Sequence, residues 1–337
     1  MRILIGCSGG LDSTYVAGLL CENHEVCGIS LKMNEYTDTD LARKSCESLG
    51  IPFVELDVRE DFNKYVVDIF ISEYSKARTP NPCVMCNRYV KIAALCDYAA
   101  KNGYDYVATG HYCNVENENG RFFVSRGADE RKDQSYMLWQ LSQEQLSMLI
   151  TPLGNSVKDK VRESAYSQGM KAAALKESQD ICFIPDGDYI SFIKKRKGVF
   201  PEGNFIDREG NVLGRHKGII NYTVGQRKGL GIALGRPMFV VSINPCDNTV
   251  TLAGSGQEYM DSFTVSGLVF QALEQCDGRY DDLFVKIRYA AKPVPCEVEI
   301  RSGKATVRFE TPQRAVTPGQ SAVFYWGNKV AFGGFID

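Results

Sequence analysis

A glycine-rich segment directly after the first apolar run is the feature that most constrains the fold of this chain. Ile3-Leu4-Ile5 is followed by Gly6-Cys7-Ser8-Gly9-Gly10-Leu11-Asp12-Ser13. A strand, a glycine turn and a helix start form a phosphate-binding arrangement, because glycines let the backbone approach an anion and the helix N–H groups point at it. No Gly-Lys-Ser/Thr follows, so this is not a Walker A loop. The alternative is a plain turn in which Asp or Ser caps the helix.

The spacing Ser-Gly-Gly-x-Asp-Ser resembles the PP-loop of ATP pyrophosphatases, which release pyrophosphate and leave an adenylate on their substrate. We call residues 6–13 the PP-loop segment. The resemblance implies that ATP binds to Gly6, Cys7, Ser8, Gly9, Gly10, Leu11, Asp12 and Ser13. A carboxylate beside phosphates is useful when it holds Mg²⁺, so Asp12 is also a predicted Mg²⁺ ligand.

Strands and helices alternate in the first part of the chain. Apolar runs predict strands at 2–5, 26–31, 53–56 and 105–109, and helical patterns predict helices at 12–20, 40–49, 61–74 and 88–100. This rhythm predicts an α/β N-terminal domain with a doubly wound parallel sheet of the adenine nucleotide α-hydrolase-like type. Ligands bind beyond the carboxyl ends of such strands. We therefore expect one crevice to be lined by residues 6–13, 32–34 and 110–112.

The rest of the chain changes character twice. A hairpin is predicted at 114–116 and 122–125, and helices are predicted at 135–149, 157–168 and 189–195. Short β-rich runs at 218–224, 238–243 and 249–252 then predict a small β-rich central domain. Runs at 263–268, 283–288, 296–300, 305–309, 321–325 and 329–336 predict a six-stranded C-terminal β-barrel. The predicted domains are 1–200 (catalytic, with a helical extension), 201–260 (central) and 261–337 (barrel).

Bulk properties limit the compartment and the partners. The 337 residues contain no apolar run of 18, and Met1-Arg2-Ile3 begins a strand rather than a signal peptide, so we expect a soluble cytoplasmic protein without a membrane partner. Most of the 12 cysteines are then expected to be reduced and buried. The net charge is −2, but residues 194–236 hold ten Lys or Arg against three Asp or Glu. That basic block is either a contact surface for a polyanion or an ordinary solvated surface.

Two cysteine motifs carry further chemistry. In Thr79-Pro80-Asn81-Pro82-Cys83-Val84-Met85-Cys86-Asn87, the prolines predict a stiff loop and a helix that begins near Cys86. A thiol at that helix start would have a lowered pKa. Cys83 and Cys86 are also spaced for a shared metal or a disulfide. The second motif is Ser178-Gln179-Asp180-Ile181-Cys182-Phe183-Ile184, where a lone cysteine in an apolar run is usually core but has polar neighbours here.

Together these motifs resemble the tRNA-specific 2-thiouridylase family over essentially the whole chain. The resemblance also rests on Gly110-His111-Tyr112, on Lys132-Asp133-Gln134-Ser135-Tyr136 and on Tyr222-Thr223-Val224-Gly225-Gln226-Arg227-Lys228-Gly229-Leu230-Gly231. It implies that ATP adenylates the C2 oxygen of uridine 34 in the tRNA anticodon. Sulfur then arrives as a persulfide from a sulfur-relay protein or a cysteine desulfurase.

The resemblance assigns roles to individual residues. Cys182 corresponds to the persulfide carrier and Cys86 to the other catalytic cysteine, and the two are expected to form a transient disulfide. Met33 and Gly110 join the ATP site. The positions that correspond to tRNA contacts are Asn81, Pro82, Cys83, His111, Lys132, Asp133, Gln134, Arg288, Tyr289 and Gln320. From the residues alone, Lys158 and Arg162 form either a phosphate-contacting pair or a solvated helix face.

Cys83 departs from the commoner family pattern, which has Asp at this position. Three cysteines that converge can hold three irons of a [4Fe–4S] cluster, so Cys83, Cys86 and Cys182 are a hypothetical cluster site whose fourth iron would carry sulfide. The persulfide scheme, with Cys83 as a bystander or alternative disulfide partner, stays open.

Two other functions compete with sulfur transfer. An amide-forming synthetase that adenylates a carboxylate would account for the PP-loop segment but gives the cysteines no role. A non-catalytic tRNA-binding protein would not need Asp12 in a phosphate loop.

Overall fold

The computed structural model describes residues 1–174 and 181–337. The strands are β1 (Arg2–Gly6), β2 (Glu25–Lys32), β3 (Phe53–Asp57), β4 (Tyr106–Ala108), β5 (Cys113–Glu118), β6 (Arg121–Arg126), β7 (Leu149–Ile150), β8 (Gly203–Ile206), β9 (Val212–His216), β10 (Met238–Asn244), β11 (Thr249–Gly254), β12 (Tyr259–Phe270), β13 (Gly278–Lys286), β14 (Val294–Arg301), β15 (Lys304–Arg314), β16 (Ser321–Trp326) and β17 (Lys329–Ile336).

The α-helices are α1 (Leu11–Cys21), α2 (Thr39–Ser48), α3 (Arg59–Phe62), α4 (Asp68–Ser75), α5 (Pro82–Cys86), α6 (Ile92–Asn102), α7 (Gln143–Met148), α8 (Lys158–Ser167) and α9 (Tyr189–Lys197). Two π-helical turns, Asn63–Val67 and Asn87–Lys91, join α3 to α4 and α5 to α6 without a break. Short 3₁₀ turns lie at Ser135–Met137, Lys171–Ala174 and Ile219–Asn221.

A parallel sheet with the order β3-β2-β1-β4-β7 forms the N-terminal domain. The middle strands β1 and β2 are nearly continuous apolar runs because helices cover both faces of the sheet. The crossover from β1 through α1 to β2 places the PP-loop segment at the carboxyl end of β1, next to the end of β4. The doubly wound α/β prediction is confirmed.

The C-terminal strands close into a barrel in the order β12-β15-β14-β13-β16-β17, with β12 pairing back onto β17. Strand β14 alternates buried and exposed residues, as a barrel wall requires. The central domain is a smaller sheet, β10-β11-β8-β9, around buried Phe205 and Val240. The six-stranded barrel and the β-rich central domain are confirmed.

Two predicted elements are wrong. The single helix expected at 135–149 is a 3₁₀ turn, then α7, then the edge strand β7. Trp139 interrupts the helix because its ring inserts against Gly333 of the barrel, and its indole N–H donates to Ser321 Oγ at 3.0 Å. The β-rich run expected at 218–224 contains the 3₁₀ turn Ile219–Asn221, whose two isoleucines are buried.

The predicted hairpin is present as β5 and β6, and it does more than turn the chain. Its strand β6 pairs with β17, so it attaches the barrel to the N-terminal domain. Arg121 reinforces this joint through a guanidinium hydrogen bond to the carbonyl of Gln271, and the Gln271 amide donates to the Leu138 and Trp139 carbonyls at 2.9 Å. The N-terminal domain and the barrel therefore meet through buried, hydrogen-bonded surfaces.

No helix within residues 1–174 and 181–337 is long and apolar enough to cross a membrane.

Candidate active site

The PP-loop segment is built as an open anion cradle. Gly10 is the N-cap residue of α1 and provides no side chain to the first N–H groups of the helix. Ser8 N donates to Ser13 Oγ at 3.2 Å, which fixes the turn, and Gly9 adopts the left-handed φ of 74° that the turn needs. The first N–H groups of α1 thus have no side-chain cap and are available to an anion.

Asp12 does not stand free beside this cradle. Lys158 Nζ lies 2.7 Å from both carboxylate oxygens, and the Tyr112 hydroxyl donates to Oδ1 at 2.8 Å. Lys158 is 4% exposed, so helix α8 delivers a buried ammonium to the first turn of α1. Of the two interpretations left open for Lys158, the solvated helix face is therefore wrong.

Gly110 is required by packing at the start of α1. A Cβ on Gly110 would lie 2.8 Å from Asp12 Cβ and 3.2 Å from Ser13 N. The absent side chain therefore lets the β4 end and the PP-loop segment approach each other, and Gly110 also lines the adjoining cavity.

A cavity of about 430 Å³ opens at this carboxyl edge of the sheet. Gly6, Cys7, Ser8, Asp12 and Ser13 of the PP-loop segment line it, whereas Gly9, Gly10 and Leu11 do not, and the lining also includes Cys182. Met33, Asn34, Gly110 and His111 of the predicted crevice line this cavity, whereas Lys32 and Tyr112 do not. The lining also includes Ser30, Asp38, Lys91, Thr109 and Gln134.

Cys86 lies deeper than the sequence indicates. The helix begins at Pro82, with the Asn81 side chain capping the Cys83 N–H at 3.2 Å, so Cys86 lies a full turn inside it. The prediction of a helix start at Cys86 is wrong, because Pro82 is well suited to the first helical position. Burial raises the pKa of the Cys86 thiol to about 12, with the charge of Lys91 acting in the opposite direction. The predicted lowering of this pKa is wrong as well.

Cys182 and Cys83 are both exposed, in contrast to Cys86. Cys182 Sγ lies 4.0 Å from Asn34 Nδ2, and Cys86 Sγ lies 3.9 Å from Met33 Sδ. The two residues that follow β2 therefore contact both sulfurs. All 12 cysteines are free thiols. The neighbouring motif residues Ser178, Gln179 and Asp180 lie outside the described residues.

Lys91 is a site residue that the sequence analysis missed. Lys91 lines the cavity. Burial acts to lower the pKa of its ammonium, but the charges of Cys86, Cys83 and Cys182 together outweigh burial, so the Lys91 pKa is raised. In a regular α-helix, a residue five positions after Cys86 lies on a different face of the helix, so the sequence pattern does not predict that Lys91 joins the site. The signal is the π-helical turn, which only the structure reveals.

His111 and Gln134 border the cavity beside Thr109. His111 Nδ1 is 2.8 Å from Thr109 Oγ1, and burial, together with the charge of Lys91, lowers the His111 pKa to about 3. The imidazole is therefore neutral at physiological pH. The Gln134 side chain accepts from Tyr112 N at 2.9 Å, which aligns this strand end with the turn after it.

Asp133 and Lys132 differ in exposure. Asp133 is buried and accepts from Gly127 N and Ser135 N, each at 3.1 Å, so its carboxylate stabilises a turn. The backbone N–H of Lys132 donates to the Asp129 carbonyl at 3.0 Å, and Lys132 is partly exposed.

The barrel contributes a rim beside Cys83. Gln320 donates to the Thr79 carbonyl at 2.8 Å, and Arg288 donates to the carbonyls of Val224 and Ala315, both at 3.1 Å. These bonds join the barrel to the segment before α5 and to the central domain. Tyr289 is 38% exposed, with Lys286 Nζ 5.3 Å from its ring centroid.

A second groove of about 720 Å³ adjoins the cavity at Met33 and Asn34. Lys195 and Arg196 in the last turn of α9 line it together with Arg59. Its acidic lining residues are Glu35, Asp57, Glu60, Asp186 and Asp188, so the groove carries charges of both signs. Arg196 stacks on Phe192, with its guanidinium carbon 3.8 Å from the ring centroid. Part of the basic block recognised in the sequence thus leads to the site.

Cys86, Cys182 and Asp12, which were expected to bind metals, contact other side chains in the structure. Across 1–174 and 181–337, no three His, Cys, Asp or Glu side chains are grouped to hold a metal ion, although Cys83, Cys86 and Cys182 all lie in this part. These cysteines therefore do not fit a cluster as arranged. Asp12 directs both oxygens at the Lys158 ammonium.

Three family models match consecutive parts of the chain. They are described as the tRNA methyl transferase HUP domain over residues 1–186, the tRNA methyl transferase PRC-barrel domain over 190–254 and the aminomethyltransferase beta-barrel domain over 261–336. These spans follow the three folded units seen in the structure.

Similar curated proteins extend over the full length. The chain is 42% identical to a tRNA-specific 2-thiouridylase MnmA of Clostridium perfringens, over 100% of this chain and 98% of the relative. It is 42% identical to that of Carboxydothermus hydrogenoformans, with 100% and 97% covered. It is 41% identical to that of Acetivibrio thermocellus, with 99% of each covered. The chain belongs to the tRNA-specific 2-thiouridylase family.

Proposed function

We propose that this protein is a tRNA-uridine 2-sulfurtransferase that adenylates the C2 oxygen of uridine 34 in the anticodon and replaces it with sulfur. The observation that carries the proposal is that an uncapped phosphate cradle and the thiol of Cys182 line one cavity. Activation by ATP and delivery of sulfur to the same carbon need both groups within reach of one atom.

ATP binds with its phosphates against the PP-loop segment. The free N–H groups of α1 and the backbone around Gly9 and Gly10 provide neutral donors for phosphate oxygens. Lys158 contributes the positive charge beside them and holds Asp12 in place. The adenine and ribose occupy the part of the cavity lined by Ile29, Leu31 and Met33.

Sulfur arrives on Cys182 as a persulfide. Its terminal sulfur attacks C2 of the adenylated uridine, the C2–O bond breaks and AMP leaves with the oxygen. The thiolate of Cys86 then attacks Cys182 Sγ, the S–S bond breaks and 2-thiouridine is released. A Cys86–Cys182 disulfide remains, and an external thiol reduces it before the next cycle.

Cys86 and Cys182 suit the two steps by their exposure and charge. The charge of Cys182 is one cause of the raised Cys86 pKa, so the two thiols are electrostatically coupled. Cys182 is exposed, as a residue that receives sulfur from a relay protein or a cysteine desulfurase must be. Cys86 is buried, as suits a thiol that reacts once the first sulfur is attached to the base.

The tRNA approaches over the rim formed by the barrel and α5. Exposed Tyr289 is available for base stacking, and Lys195 and Arg196 on the adjoining groove supply positive charge for the phosphate backbone. Uridine 34 must leave the anticodon stack to enter the cavity. Asn81, Pro82, Cys83, His111 and Gln134 lie along its path, whereas Lys132, Asp133, Arg288 and Gln320 contribute on the outer side or by holding the rim.

The proposed sulfur-transfer steps need no [4Fe–4S] cluster, because the persulfide on Cys182 supplies the sulfur. The arrangement of Cys83, Cys86 and Cys182 does not fit a [4Fe–4S] cluster, and Asp12 is engaged by Lys158. Cys83 is therefore an exposed thiol near the sulfur site. An anaerobic visible spectrum after reconstitution, compared between wild type and Cys83→Ala, tests the cluster separately.

The test is an assay with ATP, unmodified tRNA and a persulfide donor. The proposal predicts pyrophosphate release that requires tRNA, together with AMP and 2-thiouridine in equal amounts. Turnover with a free carboxylic acid instead of tRNA would identify an amide-forming synthetase. Absence of hydrolysis under all conditions would leave only a tRNA-binding role and contradict the proposal.

A further inference from the structure

A π-helical turn separates Cys86 from Lys91. The helix that begins at Pro82 passes through the π turn Asn87–Lys91 and continues as α6. A π turn closes i→i+5 hydrogen bonds instead of i→i+4, and such turns occur frequently at functional sites. This turn therefore follows directly on the buried thiol.

The turn changes which residues share a face with Cys86. In a regular α-helix, residues five apart point about 140° away from each other. In a π turn, residues five apart lie one above the other, because their backbone groups are bonded. The charge and the backbone N–H of Lys91 both act to lower the pKa of the Cys86 thiol, against the larger effect of burial. The π turn thus brings the Lys91 side chain onto the face of the helix that carries the reactive thiol.

The titratable groups whose charges act on the Lys91 ammonium are cysteines. Lys91 lines the same cavity as Cys182, and the charged groups that act on it are Cys86, Cys83 and Cys182. The nearby His111 is neutral, and Asp12 across the cavity is paired with Lys158. Among the residues that the structure describes, no carboxylate forms an ion pair with Lys91 within 4.0 Å.

We propose that Lys91 is the cation that stabilises the sulfur anions of Cys86 and Cys182, and that the π turn exists to place it there. Cys86 is buried and has no helix terminus beside it, so a cation within the site is the means by which its thiolate forms. The inference rests on the proposed function only for the step in which those anions are used.

The experiment measures thiol reactivity in the full-length protein without ATP or tRNA. Wild type, Lys91→Gln and Lys91→Arg are treated with iodoacetamide between pH 6.5 and 10, and the alkylated peptides are quantified by mass spectrometry. The exposed thiol of Cys246, in the central domain, is the internal reference. Lys101→Gln, at an exposed position near the end of α6, is the matched control.

We expect Lys91→Gln to slow alkylation of Cys182 relative to Cys246 at pH 8 by about tenfold, which corresponds to one pKa unit. Alkylation of Cys86 should require higher pH in the same variant. Lys91→Arg retains the charge and should keep most of the reactivity, and Lys101→Gln should match wild type. Rescue by arginine distinguishes a charge effect from a folding defect.

An unchanged pH profile in Lys91→Gln would overturn the inference. A loss of 2-thiouridine synthesis with that unchanged profile would also overturn it, since Lys91 would then act on ATP or tRNA. If the profile shifts as expected but wild type makes no 2-thiouridine, the inference stands and the proposed function fails.

Discussion

Replacing Gly9 with alanine should damage the phosphate cradle, whereas the same change at Gly10 should not. Gly9 has a φ of 74°, and a Cβ there would lie 2.5 Å from Leu41 Cγ and 2.8 Å from Ala42 N of helix α2. The left-handed conformation costs an alanine roughly 1–2 kcal/mol, and overpacking costs about 1–3 kcal/mol. We expect a total destabilisation of roughly 2–5 kcal/mol for Gly9→Ala, a large part of a typical folding free energy.

Gly10 is the matched control because its backbone suits any residue. Its φ is −74°, and an added Cβ would meet only Ser8 Oγ, at 3.4 Å. Gly10→Ala should therefore stay within about 1 kcal/mol of wild type and keep the N–H groups that bind phosphate.

Calorimetry and pyrophosphate release together test this pair. Gly9→Ala should lower the melting temperature of the N-terminal domain by at least about 4 °C. It should also reduce tRNA-dependent pyrophosphate release by more than about tenfold, since small displacements in a reacting site are costly. Equal stability and equal activity of the two variants would refute the reasoning that α2 packs against the cradle.

Three further changes follow from named contacts. Lys158→Met should raise the KM for ATP and destabilise the protein by about 1–2 kcal/mol. This destabilisation is smaller than that expected from breaking a fully buried ion pair, because Asp12 is partly exposed. His111→Gln should make stability less dependent on pH: the folded pKa is about 3, so the unfolded chain binds the extra proton and wild type loses stability as pH falls below about 6.5. Gly333→Ala should cost about 1–3 kcal/mol, because its Cβ would lie 2.5 Å from the Trp139 ring.

Each of these has its own check. Lys160→Met, on the exposed side of α8, should leave the KM for ATP unchanged, and an equal effect would remove the role of Lys158. Urea unfolding at pH 7 and pH 5 should show that the free energy of unfolding falls more in wild type than in His111→Gln. An equal fall in both proteins would contradict the assignment of a neutral His111. Gly278→Ala, in a barrel strand with open space around it, should be tolerated where Gly333→Ala is not.

The sequence was sufficient for the sheet, the cradle and the barrel. Strands β1 and β2 are apolar runs that burial in a parallel sheet demands, and the glycine spacing after β1 is typical of a phosphate-binding turn. Strand β14 and the first half of β15 in the barrel alternate buried and exposed residues. These features depend on local pattern, which a single sequence contains.

What the sequence missed depends on contacts between distant segments. Trp139 interrupts a helical pattern because its ring packs directly against Gly333 of the barrel, which is distant in the sequence. Helix α5 begins at Pro82 because Asn81 caps it, and treating the prolines only as loop residues hid that start. The π turn that places Lys91 beside Cys86 has no counterpart in a periodic pattern. The burial of Lys158 likewise follows from the approach of α8 to α1.

The most direct test of the account is mass spectrometry of tRNA nucleosides from cells without this protein and without a redundant enzyme. We predict that 2-thiouridine at position 34 disappears and returns when the wild-type chain, but not Cys86→Ala or Cys182→Ala, is supplied. Unchanged 2-thiouridine at position 34 in the deleted cells would contradict the account.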